Sequence, residues 1–147
     1  MRRGPSKLTR GPEGSWPLRF DKLVQPVLNR SCTDCHNPGA ADVKAARFDL
    51  TAQNAYRNLL AFGEKDLERL AFEKDKSEVG HGVARQSKLL ALLQDDDAHK
   101  AVRLDEGDLD RLVTWMDTYA HEQGHFSLEQ EQQLLALRDR YRHLLEE

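Results

Sequence analysis

All the cysteine of this chain lies in one short segment, Cys32-Thr33-Asp34-Cys35-His36, in which a histidine directly follows the second cysteine. Two thiols and an imidazole this close together form a compact set of metal ligands and nucleophiles. A small chain must fold around whatever such a segment binds, so this segment constrains the fold more than any other feature. Three kinds of chemistry fit this segment: a structural metal site, a redox-active dithiol and a covalently attached haem.

The spacing C-x-x-C-H is the pattern for attachment of a c-type haem. Two thiols at the end of a helical turn can reach the two vinyl groups on one edge of a porphyrin. The following histidine can then give the iron its proximal nitrogen. Thioether formation uses both thiols, which accounts for the absence of other cysteines from the chain. We therefore expect one haem c, attached through Cys32 and Cys35, with His36 as the proximal ligand.

Two other interpretations of the segment stay open. A tetrahedral zinc site needs four ligands, and Cys32, Cys35, His121 and His125 could provide them, because the two histidines lie four positions apart. Such a site would make the chain a zinc-stabilised helical interaction module. A thioredoxin-like dithiol needs a βαβ context, which the sequence does not show.

The remaining sequence predicts an all-α fold, because apolar residues recur at helical spacing in five segments and no segment alternates as a strand does. The first helix starts near Phe20 and contains Pro26, so it should begin late or bend there. The second has Thr51 as its predicted N-cap and Gly63 as its predicted stop.

Three further helices are predicted, with a loop over 95–104 between two of them. The third helix covers 86–94, and Asp105 caps the fourth. A last helix begins at Ser127, whose spacing to Gln130 is that of a capping box.

Composition limits the possible functions. The chain has 147 residues, of which 39% are hydrophobic and 32% charged, with a net charge of −3, as expected for a single globular domain. No basic stripe interleaves with aromatic residues, so we expect no nucleic-acid partner. No apolar run approaches a membrane span, and the first 20 residues contain no apolar core of a signal peptide. If the site needs export, we expect this chain to be a segment of a longer protein or to be given without its export signal.

Five stretches of the chain together resemble a known family, the single-haem cytochrome c domain of planctomycete-type multidomain proteins. The stretches are FDKLVQPVLNRSCTDCHNPGAAD, ARFDLT, ARQSKLLALL, HKAVRL and RLVTWMDTYAHEQGHFS. The likeness is greatest to the C-terminal haem domain of proteins related to the hydrazine synthase alpha subunit, and it spans residues 18–130. It implies a mono-haem, mostly helical cytochrome within a larger exported protein. It does not imply synthase activity, because the catalytic haem of that enzyme lies in another domain.

The resemblance implies a bis-histidine haem, with the family's second ligand falling on His99. His99 also lies between two predicted helices, where a side chain can fold over one face of a haem. Alternatively, it is a solvated loop residue beside three aspartates, and His125 is then the next choice of ligand. Met116 continues an apolar stripe and should belong to the core. The other histidines, His81, His121 and His143, are expected to be solvated.

These observations predict three parts and one function. Residues 1–17 form a Gly- and Pro-rich linker or tail, 18–126 a cytochrome c-like haem domain, and 127–147 an amphipathic helix. We expect one-electron transfer to a redox partner protein or a neighbouring domain, in the periplasm or another compartment outside the cytoplasm where haem c is attached. No general-base cluster, phosphate-binding loop or Ser/His/Asp set suggests an enzyme. If His99 does not bind, a five-coordinate haem that takes a small ligand becomes the alternative.

Overall fold

The computed structural model describes residues 18–72, 80–102, 104–123 and 127–145. These residues form helices and no strand, so the all-α prediction is confirmed. The predicted linker over 1–17 lies outside them. In chain order the helices are α1 (Phe20–Leu23), α2 (Gln25–Ser31), α3 (Val43–Arg47), α4 (Ala55–Phe72), α5 (Val83–Gln86), α6 (Lys88–Asp95), α7 (Asp97–Lys100), α8 (Glu106–Asp117), α9 (Leu128–Arg140) and α10 (Arg142–Leu145).

The first predicted helix is divided at Val24, where α1 ends and α2 begins. Pro26 lies in the first turn of α2, where a proline has no helical hydrogen bond to lose. The chain thus starts a new helix just before Pro26, which corresponds to the predicted late start. Val24 and Val27 are fully buried, and this packing keeps the two short helices together against the core.

The second predicted helix starts later than predicted, and an unpredicted helical segment follows its predicted stop. It starts at Ala55, and Thr51 lies in the turn before it, where its carbonyl accepts the N–H groups of Asn54 and Ala55. Helical geometry breaks at Phe62–Lys65, where Gly63 has a φ of +61°, a conformation that glycine adopts easily. Gly63 therefore lies where the first helical segment of α4 ends, as predicted. The helix resumes to Phe72, because Leu67 and Ala71 are buried in the core.

The region before and after α6 contains more helix than predicted. Ser87 caps α6 by accepting the N–H of Leu90. The predicted loop over 95–104 is wrong in part, since it contains the one-turn helix α7. The carboxylate of Asp96 caps α7 by accepting the N–H groups of Ala98 and His99. The side chain of Asp96, rather than an apolar stripe, thus accounts for helix at this position.

Both predicted caps in the last third of the chain are confirmed. Asp105 accepts the N–H of Asp108 at the start of α8, and Ser127 accepts that of Gln130 at the start of α9. The last helix is divided at Tyr141 into α9 and α10.

The core lies between α1, α2, α4, α6 and α8, with α4 in contact with both α6 and α8. Its largest fully buried side chains are Trp115, Leu23, Leu67, Met116, Val24 and Val27. No residue of α9 is buried, and its leucines are largely exposed. Within the described part of the chain, no helix combines the length and the apolar character that crossing a membrane requires.

Candidate functional site

The cysteine segment forms a compact turn at the end of α2. The carbonyl of Leu28 accepts the N–H groups of Cys32 and Thr33 at 2.8 and 3.0 Å. The carbonyl of Cys32 in turn accepts those of Cys35 and His36 at 3.2 and 2.9 Å. These backbone hydrogen bonds hold the two thiols and the imidazole close together.

The two thiols lie in different environments. Cys32 is half-buried against the core, whereas Cys35 is exposed, and both are free. Burial, with smaller effects of the charges of Asp108 and Cys35, raises the pKa of the Cys32 thiol to about 11. The Cys32 thiol is therefore protonated at neutral pH, and the exposed thiol is the more accessible of the two.

The ring of His36 is oriented by backbone carbonyl groups. Its Nδ1 lies 3.2 Å from the carbonyl oxygen of Ala45 and 3.1 Å from that of Phe48. Carbonyl oxygens only accept hydrogen bonds, so Nδ1 carries the proton and Nε2 keeps a free lone pair. The ring of Phe48 meets the imidazole edge-on at 5.8 Å. His36 thus has the tautomer and the fixed orientation of a metal-ligating histidine.

His99 has the same arrangement on α7, with a carboxylate in place of the carbonyls. Its Nδ1 lies 2.8 Å from Oδ2 of Asp96. The hydrogen bonds from the His99 side chain and backbone hold the pKa of the Asp96 carboxyl below its ordinary value. An ionised carboxylate only accepts, so Nδ1 again carries the proton and Nε2 is available to a metal.

The fold brings these two histidines together. Their ring centroids are 6.1 Å apart and the ring planes differ by only 22°. Two metal–imidazole bonds of about 2 Å each need ligating nitrogens about 4 Å apart, which corresponds to ring centroids roughly 6 Å apart. The distance between the two rings matches the spacing of two imidazoles on one metal ion, as in a bis-histidine haem.

The remaining candidates for the distal ligand lie elsewhere. Met116 is fully buried in the core, 3.5 Å from the hydroxyl of Ser87, so its predicted core role is confirmed. His81 and His143 are exposed, as expected. His121 is half-buried, with the rings of Phe72 and Tyr119 at 6.4 and 5.9 Å, and it lies beyond the end of α8. His125 lies outside the described residues.

The zinc interpretation has no counterpart in the described part of the chain. No group of three or more His, Cys, Asp or Glu side chains is arranged there to hold a metal ion. The proposed ligand set also needs His125, which the structure does not describe. A haem differs from a tetrahedral zinc in needing only two protein ligands on its iron, so a facing histidine pair suffices.

Several residues that support the site were missed by the sequence analysis. Asp96 could have been found, since an aspartate three positions before a histidine can both cap a helix and reach the ring. The carbonyls of Ala45 and Phe48 carry no side-chain signal. The ion pair between Arg30 and the buried carboxylate of Asp108, near Cys32, joins the end of α2 to α8 and connects residues remote in sequence.

Comparison with known proteins adds no assignment: no protein-family model, curated protein or solved structure matches the chain. The structure defines an all-α chain in which a C-x-x-C-H turn and a second histidine converge. The functional interpretation therefore depends on this site.

Proposed function

We propose that this chain is a c-type cytochrome domain, which carries one electron at a time on a single covalently attached haem. The observation that carries the proposal is the pair of nearly parallel imidazoles of His36 and His99 beside the two free thiols. In both rings Nδ1 is engaged by an oxygen, so both Nε2 atoms are available as ligands.

Each residue of the site has a distinct role in this proposal. Cys32 and Cys35 would form the thioether bonds to the haem, His36 would be its proximal ligand and His99 its distal ligand. The haem supplies the redox-active iron. The chain sets the reduction potential through ligand identity, burial and hydrogen bonds to the ligands. Two nitrogen ligands should give a lower potential than a His/Met pair, because a thioether sulfur raises it.

The resemblance to planctomycete-type haem domains supports a place in a larger exported protein. Covalent haem attachment supports a compartment outside the cytoplasm, such as the periplasm. The electron would pass to a redox partner protein or to a neighbouring domain. The proposal includes no enzymatic activity.

Mass spectrometry under denaturing conditions tests the attachment. Protein made in cells that attach haem c should have the mass of the chain plus one haem, because thioether bonds survive unfolding. The Cys32→Ala, Cys35→Ala double variant should have the mass of the chain alone. A wild-type protein with the mass of the bare chain would rule out the proposal.

Optical spectra test the ligands. The wild type should be low-spin and six-coordinate in both oxidation states. His99→Ala should become high-spin and bind added imidazole or carbon monoxide, while the haem stays attached. His81→Ala is the matched control, because His81 is exposed, and its spectrum should equal that of the wild type. A low-spin spectrum that persists in His99→Ala but is lost in His125→Ala would move the distal ligand to His125.

A further inference from the structure

We propose that Asp96 is the positioning residue of the distal ligand, His99. The carboxylate of Asp96 sets both the strength with which His99 binds the iron and the reduction potential of the haem. The inference rests on the proposed function, since it concerns the same pair of histidines. It assigns unequal roles to the two sides of the site, and it depends on the contacts of one carboxylate oxygen.

That oxygen, Oδ2 of Asp96, accepts three hydrogen bonds. They come from the backbone N–H groups of Ala98 and His99, at 3.1 and 3.2 Å, and from Nδ1 of His99 at 2.8 Å. A single atom therefore caps α7 and orients the ring that α7 carries. Because α7 has only four residues, it is far too short to be stable as an isolated helix. Loss of the carboxylate should release the helix and the ring together.

The proximal side is held differently. Nδ1 of His36 meets two backbone carbonyls, those of Ala45 and Phe48, which are neutral and cannot be removed by exchanging a side chain. The thioether bonds at Cys32 and Cys35 would hold His36 in place as well. His99 has no such covalent support, so its position depends on Asp96.

The charge of Asp96 has a further consequence for the iron. A carboxylate bonded to the Nδ1 proton increases the basicity of Nε2, as carboxylate–histidine–metal groups do in general. A more basic ligand favours ferric over ferrous iron and lowers the potential. The side chain of Asp96 is 44% exposed, so the effect should act through this short hydrogen bond and less through long-range charge.

Two substitutions separate capping from orientation. Asp96→Asn keeps an N-cap side chain but replaces the charged acceptor by a neutral one. Asp96→Ala removes both functions. Asp42→Asn is the matched control, because Asp42 caps α3 in the same way, accepts the N–H groups of Lys44 and Ala45, and lies on the His36 side of the site. Asp42→Asn changes the net charge by the same amount as Asp96→Asn does, without altering a side-chain hydrogen bond to a histidine ring.

The readouts are the reduction potential, the spin state and the affinity for added imidazole, with far-UV circular dichroism to check folding. Asp96→Asn should stay low-spin and shift the redox equilibrium toward the ferrous form by about tenfold, or about 59 mV. Asp96→Ala should bind competing imidazole about 10- to 100-fold more readily, the usual effect of losing a partner of a ligating histidine. Asp42→Asn should leave imidazole affinity unchanged and shift the potential less than Asp96→Asn.

Equal shifts of potential in Asp96→Asn and Asp42→Asn would overturn the inference, because charge alone would then explain them. Unchanged imidazole affinity in folded Asp96→Ala would also overturn it. In either case a low-spin, covalently bound haem in the wild type would leave the proposed function intact. Failure of the proposed function is seen separately, in a wild type without attached haem.

Discussion

The short segment from Phe48 to Leu50 is hydrogen-bonded to His36 on both sides of Asp49. Substitution of Asp49 therefore tests how the site is held in place. The carbonyl of Phe48 accepts from the His36 ring, and the N–H of Leu50 donates to the His36 carbonyl at 2.9 Å. Asp49 is only 7% exposed, and its carboxylate accepts from the Thr51 N–H at 2.8 Å and from the Asn54 amide at 2.7 Å. These two bonds join the segment to the start of α4.

The size of the effect follows from these two bonds. A hydrogen bond to a charged group contributes about 1.5–3 kcal/mol to stability. Thr51 and Asn54 are half-buried, so water can reach both donors after truncation, and the lower end of the range applies. Asp49→Ala should therefore reduce the free energy of unfolding by about 3 kcal/mol. Asp49→Asn, which keeps one neutral acceptor, should reduce it by about half as much.

The same bonds predict how the difference depends on pH. The hydrogen bond from Asn54, followed by that from the Thr51 N–H, holds the pKa of the Asp49 carboxyl below its ordinary value of 3.8. The folded state therefore binds this proton less readily than the unfolded state does. The stabilisation is complete above pH 3.8 and is lost as the pH falls through the lower folded pKa. The stability gap between wild type and Asp49→Asn should shrink in that acidic range.

Urea unfolding followed by far-UV circular dichroism, at pH 7 and at several acidic values, measures these differences, with all variants carrying the same haem load. Asp110→Asn is the control, because Asp110 is exposed on α8 and a surface substitution of this kind changes stability by less than about 0.5 kcal/mol. A loss for Asp49→Ala no larger than that of the control would refute the reasoning. A stability difference between wild type and Asp49→Asn that grows as the pH falls would contradict the predicted direction of the pKa shift.

Three further outcomes are expected. Met116→Leu should cost less than about 1.5 kcal/mol in urea unfolding, because it conserves core volume, and should leave the haem spectrum unchanged; a switch to high-spin would make Met116 a ligand. In haem-free protein, iodoacetamide at pH 8 should modify exposed Cys35 before Cys32, whose thiol pKa is raised to about 11, and equal rates by peptide mapping would contradict this. Deletion of residues 127–147 should leave the melting temperature of the remaining chain nearly unchanged, because no residue of α9 is buried. A large fall in the melting temperature would show that α9 supports the core.

Features that depend on a few neighbouring residues could be predicted from the sequence. The apolar spacing of α2, α6 and α8 and the caps at Asp105 and Ser127 are local, since each rests on side chains within one or two helical turns. The C-x-x-C-H turn is local in the same sense. Met116 was also placed correctly in the core, because a buried stripe repeats along one helix.

Predictions were wrong where a side chain outside the helical pattern decided the outcome. Asp49 holds Thr51 in a turn, so α4 begins later than the sequence indicated. The carboxylate of Asp96 creates α7 within a predicted loop. The stop at Gly63 was predicted correctly, but the helical segment that follows it was missed, because it depends on the burial of Leu67 in the packed core.

The sequence by itself determined that the chain is helical and that Cys32, Cys35 and His36 lie close together. Both conclusions depend only on the spacing of residues that are near one another in the chain. The sequence suggested His99 through a resemblance and through its position between two predicted helices. Only the tertiary structure brought the ring of His99 to within 6.1 Å of that of His36, because this distance depends on how α7 follows α6 and how α6 packs on α4. Contacts between residues remote in sequence carry no local pattern, so the two histidine rings come together only once the chain has folded.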